Sequence, residues 1–196
     1  MTVKLVERLL EAGVLPPGAL QLLVGEPGDL LDHLAEQDVL AFTGSSATGA
    51  KLRGHEGLVR RNVRVNIEAD SLNAAVLGPD VELGSETLQL FLNEVTKEAT
   101  QKAGQKCTAT RRIFVPQDRL EDVKEALVER FSAMKVGDPA VDGVNIGPLP
   151  TQRQLASVRA GIDTLVGEAG VSVATGGSAR PGLVGVPGDK GYFVAP

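Results

Sequence analysis

The sequence predicts an α/β fold built from parallel βαβ units. Short apolar runs of strand length alternate with segments of helical periodicity, and only a few residues connect them. This alternation is typical of parallel sheets with crossover helices. A glycine-rich turn over residues 44–49, between an apolar run and a helical segment, is a second sign of such a fold. With 196 residues and 42% hydrophobic content, the chain is long enough for one good core or two small ones.

Hydrophobic periodicity predicts the elements of the N-terminal part. The short, mainly apolar run Ala19–Val24, bounded by Pro17-Gly18 and by Gly25, is typical of a strand buried on both faces. The alternation from Val59 to Ile67 is typical of a half-buried strand. The expected elements are a helix over residues 2–11, a strand over 19–24, a short helix through Leu30, Leu31 and Leu34 capped by Asp29, a strand over 39–43, a helix continued by residues 50–53, and a strand that leads to Glu68.

In the rest of the chain, Gly84-Ser85 opens a long helix whose apolar stripe is expected to be core. The stripe consists of Leu88, Phe91, Leu92, Val95 and Ala99. The other expected elements are strands over 73–77, 111–115 and 171–174, helices over 120–131 and 151–168, and the start of another strand at Tyr192. Because the pattern stops within an element, we expect the sequence to be an internal piece of a longer protein.

Composition excludes several classes of protein. The formal net charge is −5 and the basic residues are scattered, so a general nucleic-acid binder is not expected. Residues 1–11 mix charged with apolar positions, which fits neither a secretory signal nor a membrane span. The single cysteine rules out an internal disulfide, and a nucleophilic thiol needs a reducing compartment, so we expect a cytoplasmic protein. No metal site is expected.

The turn Gly44–Gly49 is a candidate phosphate site. Its pattern, G-x-S-x-x-G, differs by one residue from the dinucleotide fingerprint and has the strand before and the helix after that the fingerprint requires. Gly44 permits a tight turn, the hydroxyls of Ser45, Ser46 and Thr48 can donate to phosphate, and the first N–H groups of the helix point at the anion. A glycine-rich turn without a ligand is an equally good interpretation of this motif alone.

Cys107 and Glu68 are the candidate catalytic residues. Cys107 lies at an element boundary, in a glycine-containing loop with Lys102, Lys106, Arg111 and Arg112 nearby in sequence, and such surroundings favour the thiolate. The alternative is a small buried hydrophobic residue. Glu68 is expected at the C-terminal end of a strand, where open α/β sheets place their chemistry; the alternative is a solvated turn carboxylate.

Several segments together resemble the NAD(P)-dependent aldehyde dehydrogenase superfamily. They are Phe42–Gly49, Glu68 at a strand end, Gly104–Ala109, Val136–Pro139 and Gly147–Leu149, and their order and spacing agree over essentially the whole chain. The stretches Glu68–Asn73 and Thr100–Cys107 look most like the CoA-linked semialdehyde dehydrogenases of phenylacetate breakdown (PaaZ type) and of benzoyl-CoA oxidation. The resemblance implies oxidation of an aldehyde, with NADP or NAD as the cofactor.

The resemblance also implies roles for single residues. Cys107 would be the nucleophile, with its backbone N–H as one oxyanion donor, and Glu68 the general base for the hydrolytic water. Gly44 and Ser45 would contact the cofactor pyrophosphate, Thr48 and Gly49 would shape the turn, and Gln105 would support the loop.

The domain organisation implied by the resemblance has two parts. Residues 1–67 would be the later half of a Rossmann-like cofactor domain and residues 68–196 the first part of an α/β catalytic domain, with the site in the cleft between them. The resemblance further implies a homo-oligomer, and we expect the 196 residues alone to be inactive.

One departure from the family and several alternatives remain. Most of the superfamily follows the glutamate with Leu-Gly-Gly, whereas Ala69-Asp70-Ser71 follows it here. The substrate could be a free aldehyde instead of a CoA-linked one. A separate question is what accepts the acyl group: Glu68 favours water and disfavours the related enzymes that pass the acyl group to CoA. More distant alternatives are a nicotinamide-independent cysteine hydrolase or acyltransferase, for which neither His33 nor His55 is an obvious base, and a nucleotide-binding module in which Cys107 only packs.

Overall fold

A computed structural model describes residues 2–196. The chain divides into two compact units, of which the first ends at Asp70 and the second spans Ser71–Pro196. The α/β prediction is confirmed, since each unit contains a parallel pair of strands together with helices. The assignment of the two parts to a cofactor domain and a catalytic domain stays a prediction.

The first unit is organised around a βαβ arrangement. Its elements are α1 (Thr2–Glu11), a short 3-10 helix (Leu30–His33), β1 (Val39–Gly44), α2 (Ser46–Arg53), α3 (Glu56–Arg60) and β2 (Arg64–Ala69). Strands β1 and β2 pair in parallel, from Val39 opposite Arg64 to Gly44 opposite Ala69. The carboxyl ends of both strands therefore lie at one edge of the sheet, as expected for ligand-binding α/β units.

Two predictions in this unit are wrong. Residues 19–24 form no strand, and Leu22, Leu23 and Val24 are 42%, 60% and 73% exposed. A buried strand needs hydrogen-bonded neighbours, and among residues 2–196 this run has none. The alternation that begins at Val59 is also not a strand at its start, because that residue lies in α3 and β2 begins only at Arg64.

The short helix at Leu30–His33 is present as a 3-10 turn. Asp29 occupies its N-cap position but makes no capping hydrogen bond with its side chain. Helix α1 has the predicted bounds, yet none of its residues is buried. Within residues 2–196, none of the helices has the length and apolar character needed to cross a membrane.

The second unit contains two strands and three longer helices. Its elements are β3 (Asn73–Val76), α4 (Glu86–Thr100), a 3-10 segment (Gln101–Gly104), β4 (Thr110–Phe114), a 3-10 turn (Gln117–Arg119), α5 (Leu120–Ser132) and α6 (Gln152–Val166). Helices α4 and α6 begin as predicted behind capping hydroxyls, since Ser85 Oγ accepts from the Leu88 N–H and Thr151 Oγ1 from the Gln154 N–H.

The main core of the second unit lies where α4 and α5 meet the β3–β4 pair. It is built from Leu77, Leu88, Leu92, Val95, Val123 and Leu127. Of the predicted stripe of α4, Leu88, Leu92 and Val95 are therefore core, Phe91 packs against the core while partly exposed, and Ala99 lies outside it. A second cluster contains Val136, Ile146 and Phe193. The strand predicted over residues 171–174 is wrong, because Val171 and Val173 are exposed and unpaired among the described residues. Tyr192 forms only a single antiparallel bridge, with Leu149.

Candidate active site

The turn between β1 and α2 is fixed by a side-chain cap at the start of the helix. Ser45 is the N-cap of α2, and its hydroxyl oxygen accepts from the Thr48 N–H at 3.3 Å and donates to Thr48 Oγ1 at 3.1 Å. The Ser45 and Thr48 hydroxyls therefore hold the turn in shape. The start of α2 remains the positive end of a helix dipole, aimed at the edge where β1 ends.

Gly49 is needed for the approach of α2 to β2. It is the one buried residue of α2, and a Cβ placed on it would lie 2.8 Å from Cγ2 of Ile67. A Cβ on Gly44 would lie 2.5 Å from Cζ of Phe42. Both glycines of the motif thus have a packing reason to lack a side chain, and the helix that carries the turn is held close to the strand that carries Glu68.

Glu68 lies at the same edge of the sheet as this turn. It pairs in register with Thr43, and Ala69 pairs with Gly44, so Glu68 is one residue from the end of β2. Its side chain is exposed. Within the first unit, the structure therefore brings the candidate base and the candidate phosphate turn to one edge.

Asp70 connects these two features and was missed as a site residue from sequence. Its N–H donates to the Gly44 carbonyl oxygen at 3.0 Å, and its carboxylate Oδ2 accepts from the Ser46 N–H at 3.0 Å and from the Ser46 hydroxyl. Asp70 has φ +53°, in the left-handed region. The only signal in the sequence was its departure from the Leu-Gly-Gly pattern.

Cys107 is exposed, in the loop between α4 and β4. Helix α4 ends at Thr100, and the chain then passes through three consecutive left-handed residues, Lys102 (φ 53°), Ala103 (φ 54°) and Gly104 (φ 74°). Such a conformation is costly for residues other than glycine and persists where the surroundings enforce it. Ala103 packs against the cluster of Val136, Ile146 and Phe193, which supplies part of that enforcement.

Two of the cations near Cys107 in sequence have partners of their own. Lys106 Nζ donates to the two carboxylate oxygens of Glu98 at 2.9 and 2.6 Å and to Gln101 Oε1 at 3.1 Å. This hydrogen bond from Lys106 is the main reason why the pKa of Glu98 lies below its ordinary value. Arg112 donates to the Leu72 carbonyl oxygen at 2.7 Å.

The side-chain amide of Asn73 holds the backbone at Cys107 and just after it in the sequence. From the start of β3, its Nδ2 donates to the carbonyl oxygens of Cys107 at 2.7 Å and of Ala109 at 3.2 Å. Ala109 is 1% exposed, and its N–H donates to the Lys106 carbonyl oxygen at 3.0 Å. The thiol-bearing residue is thus flanked by an ion pair on one side and an amide clamp on the other, and sequence reasoning missed this clamp.

Glu68 belongs to the first unit and Cys107 to the second. Both histidines lie in the first unit as well. His33 Nε2 is 3.5 Å from Asp29 Oδ2, and His55 is the N-cap residue of α3, with a buried Nδ1 that has no hydrogen-bond partner among the described residues. Across residues 2–196, the side chains of His, Cys, Asp and Glu form no group of three or more that could hold a metal ion.

The sequence matches the model of the "aldehyde dehydrogenase family" over residues 1–196. Among curated relatives, a 3,4-dehydroadipyl-CoA semialdehyde dehydrogenase from Aromatoleum evansii is 44% identical over 162 residues, which are 83% of this chain and 32% of the relative. A 2,5-dioxopentanoate dehydrogenase from Saccharolobus solfataricus is 31% identical over 100% of this chain and 38% of its own length. The chain thus spans about a third of the length of these relatives.

Solved structures have the same fold. Aldehyde dehydrogenase C of Pseudomonas syringae, complexed with NAD⁺ and octanal, is 25% identical, with a TM-score of 0.81 over 99% of this chain and 38% of that structure. Betaine aldehyde dehydrogenase of Staphylococcus aureus, in complex with NAD⁺, is 22% identical, with a TM-score of 0.83 over 100% of this chain and 37% of that structure.

Proposed function

The chain belongs to the aldehyde dehydrogenase family, and on this premise we propose that it carries the nucleophile and the general base for oxidising an aldehyde to the carboxylic acid with NADP⁺ or NAD⁺. The observation that carries the proposal is the exposed thiol of Cys107 in a loop whose backbone is held on both sides. A nucleophile must be both accessible and fixed in position, and this loop meets both conditions.

In the first half of the proposed reaction, the Cys107 thiolate adds to the aldehyde carbon. A C–S bond forms, and the carbonyl oxygen becomes an alkoxide next to the backbone N–H of Cys107, which can donate to it. A nicotinamide cofactor, with its pyrophosphate at the turn Gly44–Gly49, would supply the acceptor for the hydride that leaves this carbon. The carbonyl is thereby restored as a thioester on the cysteine sulfur.

In the second half, Glu68 acts as the general base. Its carboxylate takes a proton from water, the resulting hydroxide adds to the thioester carbon, and the C–S bond breaks. The products are the carboxylic acid and the regenerated thiolate. The exposure of Glu68 at a strand end suits a group that must exchange its proton with solvent after each turnover.

The turn Gly44–Gly49 is the proposed site for the cofactor pyrophosphate. The N–H and the hydroxyl of Ser46, at the start of α2, donate to the carboxylate of Asp70. This contact supports the proposal that the turn can bind an anion. Gly44 and Ser45 would contact the pyrophosphate, and Thr48 and Gly49 would keep the turn in shape.

We propose a CoA-linked semialdehyde as the substrate. The relative named 3,4-dehydroadipyl-CoA semialdehyde dehydrogenase is 44% identical, and the stretch Glu68–Asn73 has the form seen in enzymes of that type. A free aldehyde is the second candidate, because the relative named 2,5-dioxopentanoate dehydrogenase aligns with the whole chain.

The test is an assay of cofactor reduction with the complete natural polypeptide that contains these residues. Absorbance of the reduced nicotinamide is followed with CoA-linked and free semialdehydes, for the unsubstituted protein and for Cys107→Ala. We expect reduction that depends on the aldehyde and is abolished in Cys107→Ala. Reduction that survives this substitution would remove Cys107 from the mechanism. Hydrolysis of a thioester without any cofactor reduction would favour the hydrolase alternative instead.

A further inference from the structure

The carboxylate of Asp70 occupies hydrogen-bond donors of the turn to which we assign the cofactor pyrophosphate. It reaches this position from the residue that follows β2, and its Oδ2 accepts from both the N–H and the hydroxyl of Ser46. The N–H of Asp70 donates back to the Gly44 carbonyl oxygen at 3.0 Å. The strand end and the turn are therefore joined by reciprocal hydrogen bonds.

The position is electrostatically suited to a negative charge. Ser46 is the first residue of α2, and the first turn of this helix contains no acidic residue of its own. The partial positive charge of the helix N-terminus and its free N–H groups stabilise an anion there. Asp70, supplied by another element, is the anion that the structure places at this point.

The backbone at Asp70 would suit glycine better. Its φ of +53° is in the left-handed region, which glycine adopts without strain and aspartate adopts only in a minority of cases. Glycine is also what the Leu-Gly-Gly pattern of the resemblance would put at this position. In place of glycine, the side chain of Asp70 brings a carboxylate that accepts hydrogen bonds from Ser46.

We propose that Asp70 is an affinity-determining residue that weakens the binding of the anionic cofactor at the turn Gly44–Gly49. The inference rests on the proposed function, since it requires that this turn bind the pyrophosphate. The incoming pyrophosphate has to displace the carboxylate from Ser46 or lie beside it. In either case, a like charge in contact with the same donors opposes binding and speeds release.

The test is the substitution Asp70→Asn, in the complete natural polypeptide. Asparagine tolerates the left-handed backbone and retains an oxygen that can accept from Ser46, so only the charge is removed. Calorimetric titration with NADP⁺ and NAD⁺ should give a Kd lowered by about fivefold, the size expected for one charge several ångströms from a diphosphate at an intermediate dielectric constant. The KM for the cofactor should fall in parallel, with little change in kcat.

Asp38→Asn is the matched control. Asp38 also accepts a backbone N–H with its carboxylate, from Ala35 at 2.7 Å, but it precedes the opposite end of β1. Salt supplies a second criterion, because the difference in Kd between the unsubstituted protein and Asp70→Asn should shrink as ionic strength rises and the Debye length falls. A purely structural role for Asp70 would not give that dependence.

Two outcomes would overturn the inference while leaving the proposed function intact. One is an active dehydrogenase whose Asp70→Asn variant has an unchanged or higher Kd, and the other is an equal decrease in Asp38→Asn. If Asp70→Asn did not fold, Asp70→Gly would be used, since it relieves the backbone strain and also removes the charge. A protein that reduces neither cofactor with any aldehyde, and binds neither, would instead overturn the proposed function itself.

Discussion

Removing the side-chain amide of Asn73 tests how the Cys107 loop is held. Asn73→Ala deletes a donor that lies 2.7 Å from the Cys107 carbonyl oxygen and 3.2 Å from that of Ala109. A neutral hydrogen bond contributes about 0.5–1.5 kcal/mol to stability. Because Cys107 is exposed, water replaces part of what is lost there. We therefore expect the free energy needed to open the Cys107 loop to fall by about 1–2 kcal/mol. This corresponds to a rise of about 5- to 30-fold in the population of the open loop.

The assay is amide hydrogen exchange in a peptide that covers residues 105–110. Within it, the Ala109 N–H donates to the Lys106 carbonyl oxygen, so its exchange reports opening of the loop. Asn93→Ala is the control. This substitution in α4 removes the side-chain oxygen that accepts a hydrogen bond from Arg130 in the same unit, and that bond does not involve the Cys107 loop. Unchanged exchange in Asn73→Ala, or equal acceleration in Asn93→Ala, would refute the assignment of Asn73 as the clamp.

Four further predictions concern the base, the ion pair, the turn and helix α6. Glu68→Gln should preserve the first burst of reduced cofactor and slow steady turnover by about 10²–10⁴-fold; loss of the burst as well would contradict its role as base. The lowered pKa of Glu98 means that its contribution to stability is complete above the unfolded-state value of about 4.3 and is lost as pH falls through the lower folded value. In Glu98→Gln, the stability should therefore no longer include the decrease at acid pH that Glu98 causes. The measurement is the midpoint of unfolding as a function of pH. Gly49→Ala should destabilise by about 1–3 kcal/mol in urea unfolding because its Cβ would meet Ile67. Gly161→Ala, inside α6 with open space around it, should instead stabilise by about 0.5–1 kcal/mol.

The elements that the sequence predicted correctly are those with strong local signals. Helix α4 has a capping serine and an apolar stripe, and β1 is followed directly by a glycine-rich turn and the start of a helix. Two of the failures are the strands predicted at Ala19–Val24 and at residues 171–174, which are short segments rich in apolar residues. A strand exists only when another strand pairs with it, and local composition does not report a partner.

The misread start of β2 shows a related limit of periodicity. The alternating pattern would bury Val59, but Val59 is 63% exposed and its neighbour Leu58 is 1% exposed. A short helix, α3, turns this segment so that Leu58 faces inward. Arg61 fixes the segment by donating to the carbonyl oxygens of Leu31 and Leu34, which are distant in sequence. Such side-chain contacts to distant backbone leave no trace in hydrophobic periodicity.

The same limit applies to the candidate site. Sequence reasoning identified the groups expected to react, Cys107 and Glu68, because a lone cysteine and a strand-end carboxylate are visible one residue at a time. It missed Asn73 and Asp70, whose hydrogen bonds join residues 34 and 24 positions apart. Their partners became visible only when the backbone of each unit was in place.

Asp70 and Asn73 give the stretch Glu68–Asn73 a structural role in addition to that of carrying the proposed base. In a Leu-Gly-Gly sequence, the three residues after the glutamate have no polar side chain, so they can form hydrogen bonds only through their backbone. In this chain, Asp70 binds the turn at Ser46 in the first unit, and Asn73 binds the loop at Cys107 in the second. One stretch therefore carries the proposed base and, through two side chains, holds the proposed cofactor turn and the proposed nucleophile loop. Glycine at position 70 should loosen the turn, and alanine at position 73 should loosen the loop. Because the hydrogen bonds of Asp70 to Ser46 and of Asn73 to Cys107 and Ala109 have no residue in common, the effects of the two substitutions on stability should add in the double variant.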